Sequence, residues 1–264
     1  MMMDARELLA IAEAVADDAE AMFLAGVGAD PAALKNPGDF ATEVDLAIEA
    51  YLRQALTQLT GIPVLGEESG GVLDHHAVWV VDPIDGTANY AAGNPMCSIL
   101  IALLVEDQPV VALTSIPLFN RRLTAYTGSP VMVNGQPVPP LAEVDPLNAQ
   151  IGFSSIASQV RSTFPSLLRQ GLLAELSATY LRPRITGSVG IDLAFTAQGI
   201  FGGAVSFSPH VWDNAAGVML MRAAGGVVTD TEGNEWTPAS IGVVAGTPRA
   251  HEAIMSTMDR ILSS

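Results

Sequence analysis

One short stretch constrains this chain more than any other: Trp79-Val80-Val81-Asp82-Pro83-Ile84-Asp85-Gly86-Thr87. Its apolar, β-branched start reads as a buried strand that stops at a carboxylate, and the proline that follows has no N–H with which to continue a ladder. The chain is predicted to turn there. Asp82 and Asp85 then project from one tight turn, where they can share a hard cation with the Ile84 carbonyl oxygen. Gly86 lets the backbone approach a ligand closely, and the Gly86 and Thr87 N–H groups open a helix, a position that favours phosphate oxygens.

The flanking patterns fix the surroundings of that turn. In residues 4–25, Leu8, Ile11, Val15, Ala19, Met22 and Phe23 recur at spacings of three and four, the stripe of an amphipathic helix. Residues 39–60 read the same way, with Val44, Ile48, Leu52 and Leu56 stepping by four. Between them, residues 26–38 have the composition of a loop, and Lys35-Asn36-Pro37-Gly38 that of a mobile turn. From Gly61 the period changes. Residues 62–65, 77–81, 97–105, 108–114 and 121–126 are apolar or β-branched runs bounded by turn residues, and they read as strands. Asn134-Gly135 is a hairpin signal. Pro139-Pro140 and Pro146 mark a seam between residues 1–140 and 141–264. Beyond it, helices are predicted at residues 157–176, 188–198, 214–224 and from 248. Strands are predicted at residues 150–153, 181–185, 204–207, 227–229 and 241–245. The class is mixed α/β, with layered helices and sheets.

Further acidic residues sit where elements begin or end. Glu67-Glu68 follows the strand at residues 62–65, and Asp213 follows Trp212 at a helix start, where an N-cap belongs. Asp39, Thr42 and Asp45, at spacings of three, are predicted on neighbouring turns of one helix face. Each of these has a plain structural reading as a cap or turn residue. Together they suggest one convergent site, because ligands favour strand ends and helix N-termini. Oxygen donors without a matching Cys or His cluster favour Mg²⁺, Mn²⁺ or Ca²⁺ over zinc.

Charge narrows the partners. The 264 residues hold 28 Asp and Glu against 12 Lys and Arg, a net charge of −16. Such a surface repels nucleic acid and anionic lipid, so neither is expected as a partner. An anionic substrate would need bound cations to reverse the local sign. No apolar run approaches the ~18 residues of a membrane span, and no signal peptide is apparent. The lone Cys97 suits a cytoplasmic protein.

These residues resemble the inositol monophosphatases of the lithium-sensitive phosphatase superfamily. Gly66-Glu67-Glu68-Ser69, Asp82-Pro83-Ile84-Asp85-Gly86-Thr87 and Trp212-Asp213 are similar to its three signature motifs. Lys35 with Asp39, Thr42 and Asp45 is similar to its first-loop motif, and residues 184–188 with Asp192-Leu193 to its substrate-side motif. The resemblance implies an alternating α-β-α-β-α layered fold and a Mg²⁺-dependent phosphomonoesterase with two or three ions, Mn²⁺ being a possible substitute. It also implies a homodimer and inhibition by Li⁺. Carried over, Glu67, Asp82 and the Ile84 carbonyl hold one ion, and Asp82, Asp85 and Asp213 the second; a third leans on Glu67. Gly86 and Thr87 bind phosphate, and Thr87 with Glu67 orients the attacking water. Asp39, Thr42 and Asp45 act behind them or on the weaker ion.

Substrate residues follow by the same resemblance. Asp85, Gly187, Ser188, Val189 and Asp213 are candidates for the polyol side. Ser206 stands where the family commonly carries an inositol-contacting glutamate, which weakens discrimination among small phosphates. The expected substrate is myo-inositol 1-phosphate or a related small polyol phosphate. Histidinol phosphate, fructose 1,6-bisphosphate and nucleotide 3′-phosphates are the alternatives within the superfamily. An interaction protein on the same fold and a Ca²⁺-binding module are the alternatives outside enzymology. Cys97, His75-His76 and His210 read as structural.

Overall fold

The computed structural model describes residues 4–36, 39–145, 147–158 and 162–262, without the side chains of Asn36 and Asp39. Pro37 and Gly38 of the anticipated turn, Pro146 of the seam and residues 159–161 of one predicted helix lie outside the described residues. The first stripe forms α1 (Ala5–Ala25), opened by a reciprocal cap in which Asp4 accepts the Glu7 N–H and Glu7 accepts that of Asp4.

The second helix differs from its prediction at its start. Residues read as its first turn instead pair as a hairpin, β1 (Pro31–Asn36) against β2 (Asp39–Thr42), and α2 spans Glu43–Thr60. The cause is local. Thr42 caps the helix by accepting the Val44 and Asp45 N–H groups, while Asp45 accepts the Thr42 N–H at 2.8 Å. Asp39, Thr42 and Asp45 therefore do not share a helix face.

A seven-stranded sheet follows, comprising β3 (Val64–Gly66), β4 (Ala77–Asp85), β5 (Ser98–Val105), β6 (Gln108–Ile116), β7 (Arg121–Tyr126), β8 (Met132–Val133) and β9 (Gln136–Pro137). The strands lie in sequence order, antiparallel except for the parallel β3–β4 pair. A five-residue helix, α3 (Thr87–Ala91), leaves the end of β4. The sheet is buried on both faces, which is why β5 is apolar throughout. Ile99, Ile101 and Leu103 pack under α1 and α2, while Leu100, Ala102 and Leu104 face the opposite layer.

The second half supplies β10 (Gln150–Phe153), α4 (Ser166–Ser177), β11 (Arg182–Arg184), α5 (Val189–Ala197), β12 (Gly203–Ser206), α6 (Val211–Ala223), β13 (Val227–Thr229), β14 (Val243–Gly246) and α7 (Pro248–Leu262). Its five strands run in the order β11-β10-β12-β14-β13. Helices α5 and α6 fill the space between the two sheets, and α4 and α7 cover the outer face of the smaller one. The result is the alternating α-β-α-β-α sandwich. Helix α4 starts at Ser166, later than its stripe predicts, because Pro165 occupies its N-cap with extended backbone (ψ 157°). Among the described residues, no helix is long and apolar enough to cross a membrane.

Candidate active site

Strand β4 does not stop at Asp82. It continues to Asp85 through a bulge, with Asp82 opposite Leu100 and Asp85 opposite Ser98, so Pro83 falls where the ladder is already interrupted. The bulge also re-aims the acids. Asp82 accepts the Ile84 N–H at 3.0 Å, and the Ile84 carbonyl accepts the Thr87 hydroxyl at 3.0 Å. Gly86 reverses the chain at φ +87°, and a Cβ there would lie 2.9 Å from the Met96 carbonyl oxygen. Only glycine allows the backbone that close.

Asp85 is gripped from the far half of the molecule. Its Oδ2 accepts the Gly190 N–H at 2.8 Å, the Ser98 hydroxyl at 2.9 Å and the Ser188 hydroxyl; its Oδ1 accepts the Val189 N–H at 3.2 Å. The N-terminus of α5 thus holds this carboxylate, as the partial positive charge there favours. Burial pushes the Asp85 carboxyl above its ordinary pKa, against these hydrogen bonds. A residue that sequence reasoning missed completes the join. Asn89 donates to the Met96 carbonyl at 2.6 Å and to the Thr186 carbonyl at 2.8 Å, tying α3 to the segment that carries Gly187.

Glu67 leaves β3 on a loop with a brace of its own. Glu49, buried on α2, accepts the Glu68 N–H at 2.6 Å and the Ser69 N–H at 2.7 Å, and pairs with Arg53 at 3.2 Å. Arg53 in turn donates to the Val64 and Gly70 carbonyls on either side of the loop. Glu49 went unread although its signal was there: an acid beside Ile48 on the buried face of an amphipathic helix. At the loop's outer side, Lys35 bridges Glu67 and Glu68, 2.7 Å from each. Burial drives the Glu68 carboxyl up to about 7, although Lys35 pulls it down.

Asp213 belongs to the first turn of α6 and does not cap it; His210 holds the N-cap position. One pocket of about 230 Å³ is lined by Glu67, Asp82, Ile84, Asp85, Gly86, Thr87, Gly187 and Asp213. Burial, then repulsion from Glu67, Asp85 and Asp213, holds the Asp82 carboxyl well above its ordinary value. Enclosure and repulsion from Glu67 and Asp85 do the same to Asp213. Behind the pocket, the Thr87 hydroxyl lies 3.2 Å from Asp45 Oδ1, and Asp45 Oδ2 is bound by Thr42. The side chain of Asp39 lies outside the described residues.

The polyol-side candidates are placed less simply. Gly187 and Val189 line a second, larger pocket of about 630 Å³ that shares Glu67, Asp85 and Asp213 with the first. Ser188 lines neither; it is buried, capping α5 and bonding Asp85. Ser206 is also buried, its hydroxyl accepting the Ser208 N–H at 3.2 Å, and the pocket wall beyond it is built from Phe207, Ser208 and His210. His210 stacks on Trp212 with ring centroids 4.6 Å apart.

The donor set suits hard cations. Four carboxylates and Ile84 line one pocket, and the raised proton affinities of Asp82, Asp85 and Asp213 mark it as short of positive charge. Among the described residues, no three His, Cys, Asp or Glu already close into an ion cage. One of these charges is relieved by an ion pair, Lys35 with Glu67.

A sandwich of this kind, with acids converging between its sheets, is the architecture of a layered metal-dependent phosphatase. The structure superposes on the extragenic suppressor protein suhB of Bartonella henselae with a TM-score of 0.86, at 24% identity over 96% of this chain and 99% of that one. It also matches the inositol monophosphatase of Anabaena (Nostoc) sp. PCC 7120 at 0.81, with 23% identity over 97% and 96%. The sequence is more specific: residues 4–263 match the inositol monophosphatase family, and the chain belongs to it. It is 51% identical to the probable inositol 1-monophosphatase ImpA of Mycobacterium tuberculosis, over 95% of this chain and 93% of that one. It is 33% identical to the Nus factor SuhB of Escherichia coli K12, over 88% and 87%. The family is one of phosphatases and is generally metal-dependent.

Proposed function

We propose that the protein is a Mg²⁺-dependent phosphomonoesterase that hydrolyses myo-inositol 1-phosphate to inositol and phosphate. One observation carries the reading: acids from three remote stretches, Glu67, Asp82 with Asp85, and Asp213, line one pocket with Gly86 and Thr87. Glu67, Asp82 and the Ile84 carbonyl would hold one ion, and Asp82, Asp85 and Asp213 another, with Mn²⁺ as a substitute and a third ion at Glu67. Such cations polarise the phosphoryl oxygens, lower the pKa of water and stabilise the leaving oxygen.

The protein's own groups do the rest. Asp85 Oδ2 is committed to Ser98, Ser188 and Gly190, so Oδ1 is the oxygen left to face the pocket. The Gly86 and Thr87 N–H groups orient the phosphate. The Thr87 hydroxyl, held between Asp45 and the Ile84 carbonyl, orients water for in-line attack on phosphorus. That water supplies the oxygen of the released phosphate, its proton departs, and the ester oxygen leaves as the alcohol after gaining one. No covalent enzyme intermediate is required. A homodimer, Li⁺ sensitivity and a cytoplasmic setting, which suits the single buried Cys97 thiol, belong to the same reading.

The test is phosphate release with Mg²⁺ from a panel of inositol 1-phosphate, histidinol phosphate, fructose 1,6-bisphosphate and a nucleotide 3′-phosphate. Inositol 1-phosphate is expected to lead. Asp85→Asn should lower turnover by more than the roughly 10–100-fold that loss of an orienting neighbour costs, with the folded circular-dichroism signal retained. Near-normal turnover in that variant would sink the assignment.

A further inference from the structure

One wall of the larger pocket is the loop Phe207-Ser208-Pro209-His210, to which the proposed chemistry gives no part. The loop leaves β12 and runs into the helix α6 that carries Trp212 and Asp213. Part of its hold is local: the Ser206 hydroxyl accepts the Ser208 N–H and the Ser208 hydroxyl accepts the His210 N–H, each at 3.2 Å. From β14's side, Gly242 donates its N–H to the Ser208 carbonyl at 2.9 Å. The tie to the helix is a side chain. Asn214, next to Asp213 on α6, donates from Nδ2 to the Ser208 carbonyl and to the His210 carbonyl, both at 2.9 Å.

That amide is placed for geometry more than for stability. Asn214 is 1% exposed, and its Oδ1 is buried with no hydrogen-bond partner among the described residues. An amide NH₂ has two hydrogens, and both are spent on the loop. The two bonds are neutral and modest in net worth, whereas the orphaned oxygen gives up its hydration for nothing, so gain and cost nearly cancel. Leucine branches at the same carbon and has no polar atom to bury. In place of Asn214 it would fill the position and release the loop.

We propose that Asn214 is a specificity-determining positioning residue: it fixes the wall at residues 208–210 against α6, and through that wall it selects the alcohol half of the phosphate ester. This rests on the reading of the carboxylate pocket as the place where the scissile phosphate binds. The two pockets share Glu67, Asp85 and Asp213, so the alcohol of an ester whose phosphate occupies the smaller extends into the larger. His210, whose carbonyl Asn214 holds, stacks on Trp212 with the rings 7° from parallel, so the aromatic part of the wall follows the same clamp.

Two variants remove the amide, Asn214→Leu with its branched shape kept and Asn214→Ala with a gap. Both are assayed by inositol release from inositol 1-phosphate with Mg²⁺, against inorganic phosphate as a competing inhibitor that has no alcohol to meet the wall. In both, KM is expected to rise about tenfold, the low end of what one lost pocket contact is worth, while the inhibition constant of phosphate stays within about twofold of the wild type. The melting temperature should fall in Asn214→Ala and hold in Asn214→Leu. A KM that follows the melting temperature instead of the amide overturns the proposal. So does an unchanged KM in both, or a phosphate constant that rises in step with KM. A second readout needs no substrate. Of the three tryptophans, Trp79 and Trp236 are buried and Trp212 is partly exposed, so acrylamide quenching of fluorescence reports this wall. Quenching should rise in both variants, and wild-type quenching in both overturns the clamp. If the wild type releases no inositol while quenching rises in the variants, the functional reading fails and the clamp stands.

Discussion

Replacing Glu49 with glutamine removes one oxygen acceptor from beneath the loop that carries Glu67. In the native protein one carboxylate satisfies two backbone N–H groups, of Glu68 and Ser69, and the partly exposed Arg53. An amide has one oxygen and one NH₂, so one of the two N–H groups must face a donor. Losing a hydrogen bond to a charged group costs about 1.5–3 kcal/mol, and the half-exposed Arg53 pair adds at most about 1 kcal/mol after screening. The total of about 2–4 kcal/mol should lower the melting temperature by roughly 4–16 °C in a chain of this size. No rearrangement relieves it cheaply, because the carboxylate lies against Gly66, where even a Cβ would come within 2.3 Å.

The consequence for function separates positioning from bulk stability. A loosened loop presents Glu67 less well, so the Mg²⁺ concentration for half-maximal phosphate release should rise about 10-fold. Turnover at saturating Mg²⁺ should change less. The control is Ile48→Val, a neighbouring core change worth about 0.5–1.5 kcal/mol, which should lower the melting temperature without moving the Mg²⁺ midpoint. The assay is a Mg²⁺ titration of phosphate release beside thermal unfolding in its absence. If Glu49→Gln melts earlier but keeps the wild-type Mg²⁺ midpoint, the brace is only structural and the reasoning is wrong.

Two further outcomes follow from the same geometry. Asp192 is buried with one oxygen unpartnered, and burial holds its carboxyl well above the usual value near 3.8. A carboxyl that binds its proton more tightly folded than unfolded loses stability as pH rises through the unfolded pKa and on to the folded one. Asp192→Asn should therefore raise the melting temperature more at pH 8 than at pH 4; an equal shift at both would show that Asp192 is not protonated in the fold. Gly86→Ala places a Cβ 2.9 Å from a backbone oxygen at φ +87°, and should cost about 1–3 kcal/mol. The displaced phosphate-binding N–H groups should lower kcat/KM by about 100-fold, and unchanged kinetics would remove Gly86 from the site.

How much of this was legible depends on the range of the interaction that decides each element. The strand Ser98–Val105 was readable because both of its faces are buried, so its apolar run is unbroken. The start of α5 was readable because Ser188 caps it locally. The hairpin before α2 was not, since Asp39 and its neighbours continue the helical spacing and only the Thr42–Asp45 cap marks where the helix begins. Asp82 and Asp85 were found as a pair, but their bulge was not, because it is defined against β5.

The site shows the sharpest limit. A motif names residues that matter without saying what each one touches. Ser188 and Val189 were expected on the polyol side; Ser188 is spent on Asp85, 103 positions earlier, while Val189 lines the larger pocket and also meets Asp85 through its N–H. Their neighbour Gly190 explains the pattern: a side chain there would strike Ser98, Leu100 and Asp85. The glycine admits the N-terminus of α5 close enough to orient one carboxylate of the pocket. What reads along the chain as a substrate motif also serves, in the fold, to aim an acid belonging to another motif. Pairings of that kind span the two sheets, and no local pattern of spacing or charge can encode them.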